Sequence, residues 1–355
     1  MKLISGRDIL RQLKADLIGK DSYRGVTLTY SWLANQCGHF SLGFIPALML
    51  WAVLKKFSSV ISPAFWAALI ISIMWLLFEL YNFLGPLLVN RTSESKILFA
   101  PGKKYTFTPS WGNIAFDTLT DVCFFGLGAF SAALFLKYSD KAAFIPAGLL
   151  LIILYPSYYW YITKMYLQAA KYPFQFRLSQ WDKYINESDK NTVLQFLKEK
   201  HAGRHLLIFG AEKSGKTSLG VAIGTEMSIK HKPCSYTTGI KLYSMFFEED
   251  EQPLNNKTNL WTWRTSALLV IDDINPGFPI KEDIVTPDMF LKMLDALQPR
   301  NESNRDTIKN KNIIWVLGSS DTEKNCINNW QLMLENIGVA RKSICCINLF
   351  QTDTR

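Results

Sequence analysis

Lys216 and Thr217 close the run Gly210-Ala211-Glu212-Lys213-Ser214-Gly215-Lys216-Thr217, which fits the spacing G-x-x-x-x-G-K-[ST]. Glycines let the backbone curl tightly enough for its N–H groups to converge on phosphate oxygens, and a following helix adds a favourable dipole. Lys216 would supply a point charge at the β- and γ-phosphates, and the Thr217 hydroxyl a ligand for Mg²⁺. Residues 210–218, with Ser218 at the far end, are the expected phosphate cradle. The flanks agree: "HLLIF" reads as a short buried strand and "TSLGVAIGTEM" as a helix. Further on, "ALLVIDDI" reads as a buried parallel strand tipped by carboxylates, at the edge where open α/β sheets bind ligands. Asp272 is expected to hold Mg²⁺ directly or through water. Asp273 is expected to orient or deprotonate an attacking water. A third strand, "NIIWVLGSSD", ends in Ser319 and Ser320. Either is a candidate contact to the γ-phosphate or the lytic water, with a helix cap as the alternative. There is no N-K-x-D and no D-x-x-G after the Asp272 strand, which favours ATP over GTP.

The elements that must carry these groups differ sharply between the two halves of the chain. Over 355 residues, 48% are hydrophobic and 19% charged. The long apolar runs all fall before about residue 163. Four segments, at roughly 38–54, 60–80, 114–136 and 142–163, are long enough to cross a hydrocarbon core. Buried helices of a soluble domain are the alternative, but "AFWAALIISIMWLLF" lacks the polar face such a helix needs. The expected fold is an N-terminal all-α transmembrane domain of about four helices. A C-terminal α/β P-loop NTPase domain with a parallel five-stranded sheet follows it. The expected division is a basic amphipathic segment at 1–37, membrane helices at 38–163, a connector at 164–203 and the ATPase at 204–355. "ISGRDILRQLKADLIGK" has helical apolar spacing and is expected to lie along the inner membrane surface or to pack on the ATPase. Lys and Arg are concentrated at the N-terminus and between the second and third spans, which places both termini in the cytoplasm of a bacterial inner membrane.

A formal net charge of +9 suits an anionic membrane face and equally a nucleic acid. The six cysteines have no C-x-x-C spacing, and reduced thiols without a metal site are expected. No cleavable signal peptide is expected. Within the apolar half, Glu79 stands near the inner end of the second span. Asp117 and Asp121, four residues apart, share a face of the third. They are either solvated at headgroup level or part of an ion, proton, headgroup or metal site. "FELYNFLG" and "DTLTDVCFFGLGA" resemble the acidic signatures of small bacterial membrane families such as the VanZ-like proteins, over these runs alone.

The order "CSYTTGIKLYSMFFEED", "LLVIDDINPGFP", "IIWVLGSSDTEKNCINNWQLML" resembles that of the DnaC/IstB-like ATPases, over about residues 190–350. The resemblance implies a five-stranded parallel core, ATP with Mg²⁺, and self-assembly with an arginine reaching a neighbour's γ-phosphate. Arg300, Arg305 and Arg341 are the candidates for that finger. The chain departs from the pattern in its membrane half and in the short stretch after the last strand, "SICCINLF", which leaves no room for a helical lid. Three functions remain: an ATPase driving assembly or shape change of the membrane helices, a membrane effector or channel switched by ATP, and a tethered DNA- or nucleoprotein-associated ATPase. The expected partners are the lipid bilayer, further copies of the chain, and protein or DNA.

Overall fold

The computed structural model describes residues 4–17, 28–57, 61–91, 105–136, 143–198, 202–246, 260–274, 284–296, 301–318 and 323–349. The chain forms two compact units. One spans Leu10–Lys164, and the other Met165–Arg355 together with Met1–Ile9.

A first helix, α1 (Gly6–Leu17), is capped reciprocally. The Ser5 amide donates to the Asp8 carboxylate at 2.9 Å, and the Asp8 amide to the Ser5 hydroxyl at 3.3 Å. Then come α2 (Leu28–Leu54), α3 (Pro63–Arg91), α4 (Trp111–Phe135) and α5 (Phe144–Ala170). All four contain stretches long and apolar enough to cross a membrane: Ala34–Leu54, Pro63–Leu88, Trp111–Phe135 and Phe144–Ala170. α2 and α3 run beyond these stretches, and α4 and α5 coincide with them. Helical hydrogen bonding continues through polar residues, and through Pro46, Pro86 and Pro156, which neighbouring helices in an apolar setting tolerate. Glu79 is therefore not at the end of its helix, as the apolar window suggested, because α3 continues past it to Arg91.

Small residues set the packing of this unit. Ala47, Ala64, Ala68, Ala129, Ala132 and Ala133 form its buried seam. At the crossing of α2 and α4 a Cβ on Gly43 would strike the Phe125 carbonyl, and one on Gly128 the Phe40 carbonyl. Backbone meets backbone there, the close approach that membrane helices use in place of a hydrophobic drive. Trp75 of α3 stacks on Phe125 of α4 at 4.3 Å between centroids and donates its indole N–H to the Leu42 carbonyl of α2 at 2.9 Å.

The second unit is a parallel sheet of β1 (His205–Gly210), β2 (Cys234–Thr238), β3 (Leu268–Asp272), β4 (Asn312–Val316) and β5 (Ile344–Leu349). The order across it is β2-β3-β4-β1-β5, and every neighbouring pair is parallel. β4 thus lies between the strand feeding the glycine loop and the strand ending in Asp272. Helices cover both faces, so the inner strands read as continuous apolar runs. One face, with Leu207, Phe209, Leu269, Ile271, Ile313 and Trp315, belongs to an extensive apolar cluster. That cluster takes in α8 (Gly239–Phe246), α9 (Pro287–Asp295), α10 (Asn301–Asn310) and α11 (Glu323–Ile337). The other face, with Val270, Ile314 and Val316, receives α7 (Lys216–Ile229) at Gly220. A further helix, α6 (Glu187–Lys198), packs on β5.

His205 is fully buried in β1, and its Nδ1 accepts the Trp315 indole N–H at 3.1 Å. Burial lowers its pKa from 6.5 to about 4. The folded state therefore keeps the imidazole neutral in a range where the unfolded chain takes up a proton, so stability falls as pH drops from 6.5 toward 4. His205→Phe should lose the Trp315 bond at pH 8, and its stability deficit against wild type should shrink below pH 6. Thermal midpoints in detergent across that range check this. In the membrane unit, Gly43→Leu or Gly128→Leu should lower the midpoint far more than Gly148→Leu, because a Cβ at Gly148 meets nothing within 4 Å. Overpacking of this kind costs about 1–3 kcal/mol or more.

Candidate functional site

The loop between β1 and α7 is built on two left-handed residues, Lys213 at φ 63° and Gly215 at φ 91°. At Gly215 a side chain is excluded twice over. The backbone angle is one L-residues avoid, and a Cβ would come within 2.9 Å of the Trp181 ring. Lys216 is the first residue of α7, followed by Thr217 and Ser218. The Lys216 ammonium donates to the carbonyls of Gly210 and Ala211 at 2.7 and 2.9 Å, which folds its side chain over the loop. Burial lowers its pKa, and the carboxylates of Asp272 and Glu212 oppose that shift.

Asp272 ends β3, is buried, and receives three donors. The Thr217 hydroxyl reaches Oδ1 at 3.2 Å, the Asp273 amide reaches Oδ1 at 2.8 Å, and the Tyr236 hydroxyl reaches Oδ2 at 2.8 Å. Thr217 Oγ1 and Asp272 Oδ1 are hard oxygen donors. Two adjacent ligands of an octahedral Mg²⁺ stand about 2.9 Å apart, so this pair fits that ion. The described residues include no group of three or more His, Cys, Asp or Glu that could hold a metal. Mg²⁺ needs none, since it takes most of its ligands from water and phosphate. Asp273 is exposed, with φ 53°, and its carboxyl pKa is raised by burial and by the neighbouring Asp272 charge. The shift is in the direction a proton acceptor needs. The Tyr236 phenol is pushed well above its ordinary pKa by burial and by Asp272, so it stays a donor.

Sequence reasoning placed Lys216, Thr217, Asp272 and Asp273 at one site, and the sheet brings them to one edge. β4 ends at the same edge, but Ser319 and Ser320 lie outside the described residues, as does Arg300. Arg305 is committed elsewhere. Its guanidinium grips both carboxylate oxygens of Asp295 at 2.6 and 2.7 Å and donates to the Asn336 carbonyl, which makes it a structural clasp between α9, α10 and α11. Arg341 is mostly exposed and paired with Glu335 at 2.8 Å.

Several site-lining groups were not foreseen. Tyr236 stands on β2, whose Thr238 is in register with Asp272, and a hydroxylated aromatic one alternation step before that position was the available signal. The connector is fastened to α7 and its loop. Tyr172 donates to or accepts from the Ser228 hydroxyl at 3.1 Å and fills the space beside Gly224. Arg177 pairs with Glu226 at 2.7 Å. Trp181 is buried against Gly215.

In the membrane unit, Asp117 and Asp121 of α4 both act electrostatically on Glu79 of α3. Asp121 also faces α2. The His39 Nε2 is 3.4 Å from its Oδ1, and the Gln36 side chain hydrogen-bonds to it. The side-chain amide nitrogen of Asn35 lies 2.9 Å from the same His39 nitrogen. These α2 partners carry no apolar signature and were not singled out by the sequence.

The geometry defines a chain that joins a four-helix membrane unit to a P-loop-type α/β unit. Comparison with known proteins touches each half separately. Residues 18–142 match a family described as "Predicted membrane protein (DUF2238)". Among solved structures, one titled "Crystal Structure of the DnaI" is 18% identical, with 51% of this chain and 90% of that chain covered and a TM-score of 0.31. Agreement at that level places no residue of the site. No curated protein matches.

Asp121→Leu should lower the thermal midpoint of the protein in detergent, because fully buried Gln36 loses its hydrogen-bond partner. Weakening such a buried network costs about 1–3 kcal/mol. Asp117→Asn, at an exposed position, should cost much less.

Proposed function

We propose that the protein is a membrane-anchored ATPase whose nucleotide site faces the cytoplasm and whose ATP cycle drives a conformational change or assembly of the membrane helices. The observation that carries this reading is the convergence of Lys216, Thr217 and Asp272 at one sheet edge, with Thr217 and Asp272 spaced as a magnesium ligand pair. In this reading the amides of residues 211–217 cradle the β-phosphate at the head of α7. Lys216 exchanges its loop carbonyls for β- and γ-phosphate oxygens. Thr217 and Asp272 hold Mg²⁺, which when bound neutralises charge developing on the transferred phosphoryl group. Asp273 orients the attacking water and accepts its proton.

The fastened connector supports coupling to the membrane. Tyr172, Arg177 and Trp181 bear on α7 and on the loop itself, and the same segment continues the chain of α5. A change in the loop on nucleotide binding would be felt first by these residues.

The test is ATP hydrolysis by the full-length protein in liposomes, compared with Lys216→Ala, with and without added DNA. Wild type should turn over ATP, and the variant should lose at least about 100-fold, the scale on which single transition-state donors act. DNA should change neither. Equal activity of the two proteins would end the ATPase reading. Stimulation by DNA would replace it with a tethered nucleic-acid ATPase.

A further inference from the structure

We propose that Tyr236 is the positioning residue of the magnesium site: its hydroxyl locks the Asp272 carboxylate so that Oδ1, and not Oδ2, is presented beside Thr217. The inference rests on the ATPase reading above and assigns a residue that no sequence motif marks.

The carboxylate has two chemically equivalent oxygens, and rotation about its last torsion is soft and two-fold. Something must choose between them. The Asp273 amide and the Thr217 hydroxyl both point at Oδ1, which leaves Oδ2 to be held or to swing. Tyr236 holds it, at 2.8 Å. The hydroxyl comes from the neighbouring strand and not from the loop, so its position is set by sheet register: Tyr236 pairs with Val270 and Thr238 with Asp272. A shorter hydroxylated side chain at 236 would fall short of a carboxylate two register steps along.

The ring is held in turn. Tyr172 meets it edge to face at 6.4 Å, and the Tyr172 ring is itself wedged beside Gly224. The Tyr172 ring thus limits how far the phenol can turn away from Asp272 on that side. A first-sphere carboxylate fixed by an outer hydrogen bond from a rigid element is the arrangement that tunes metal affinity. Loss of such a partner typically weakens a metal about 10–100-fold.

The experiment uses full-length protein in detergent, wild type and Tyr236→Phe, with Tyr172→Phe as the control that removes a hydroxyl from the same aromatic pair without touching Asp272. ATP affinity is measured in EDTA, and the Mg²⁺ concentration giving half-maximal stabilisation is then measured at saturating ATP. We expect Tyr236→Phe to raise the Mg²⁺ midpoint roughly tenfold. Its affinity for metal-free ATP should be unchanged, since the loop that grips the phosphates is intact, and that unchanged affinity shows that the variant is folded. Tyr172→Phe should leave the Mg²⁺ midpoint at the wild-type value. An unchanged midpoint in Tyr236→Phe overturns the proposal. So does an equal loss of metal-free affinity, which would make Tyr236 part of the general packing. Wild type that binds no ATP under either condition overturns the ATPase reading and this inference with it. Wild type that binds Mg²⁺ and ATP beside an indifferent Tyr236→Phe overturns this inference alone.

Discussion

Because β4 is inserted between β1 and β3, the phosphate loop and Asp272 start two strand spacings apart, about 10 Å. The site exists only if something closes that gap. Helix α7 does so, and it can because it lies low on the sheet. At Gly220 the absent side chain lets the helix settle onto Val316, Val270 and Ile314, where a Cβ would already be 3.0 Å from the first of these. Seated there, the first turn of α7 brings the Thr217 hydroxyl to 3.2 Å from Asp272. The chemistry of the edge thus depends on a packing contact about one turn away from it.

A comparable dependence runs through the membrane unit. Contact of backbone on backbone at Gly43 and Gly128 draws α2 against α4. His39 lies one turn before Gly43, and its ring meets the edge of Phe125 at 4.7 Å. One further turn along α4 stands Asp121, facing the same imidazole. The polar layer is therefore a product of the small-residue crossing. An ionisable group in such a place needs partners from other helices, and α2 supplies them.

The parts of this architecture written in local pattern were legible in the sequence. The glycine loop, the apolar strands with their acidic ends and the four apolar stretches each announce themselves in a short local run, whereas the place of β4 between β1 and β3 does not. The parts written in contacts between distant segments were not. Arg305 is a finger candidate in the sequence, and only the fold shows that Asp295 holds it. Tyr236 and Gln36 have no motif, and their partners lie on other elements. Helix ends were also misjudged, because hydropathy ends where polar residues begin while the hydrogen-bond ladder runs on, as it does past Glu79 to Arg91.

The fastening of the connector also decides where the α/β half can be cut free or transplanted. The sheet begins at His205, and a boundary drawn there looks natural. Yet Tyr172, Arg177 and Trp181 fill a socket beside Gly224, neutralise Glu226 and cover Gly215. A fragment starting at the sheet would expose that socket to water, strand a carboxylate and uncover the phosphate loop. The smallest piece that keeps this shielding starts near Met165, because buried Tyr166 stacks on His231 and meets Trp261. Any exchange of this α/β half onto a different anchor would have to bring the residues from Met165 to Arg204 along as part of the folded unit.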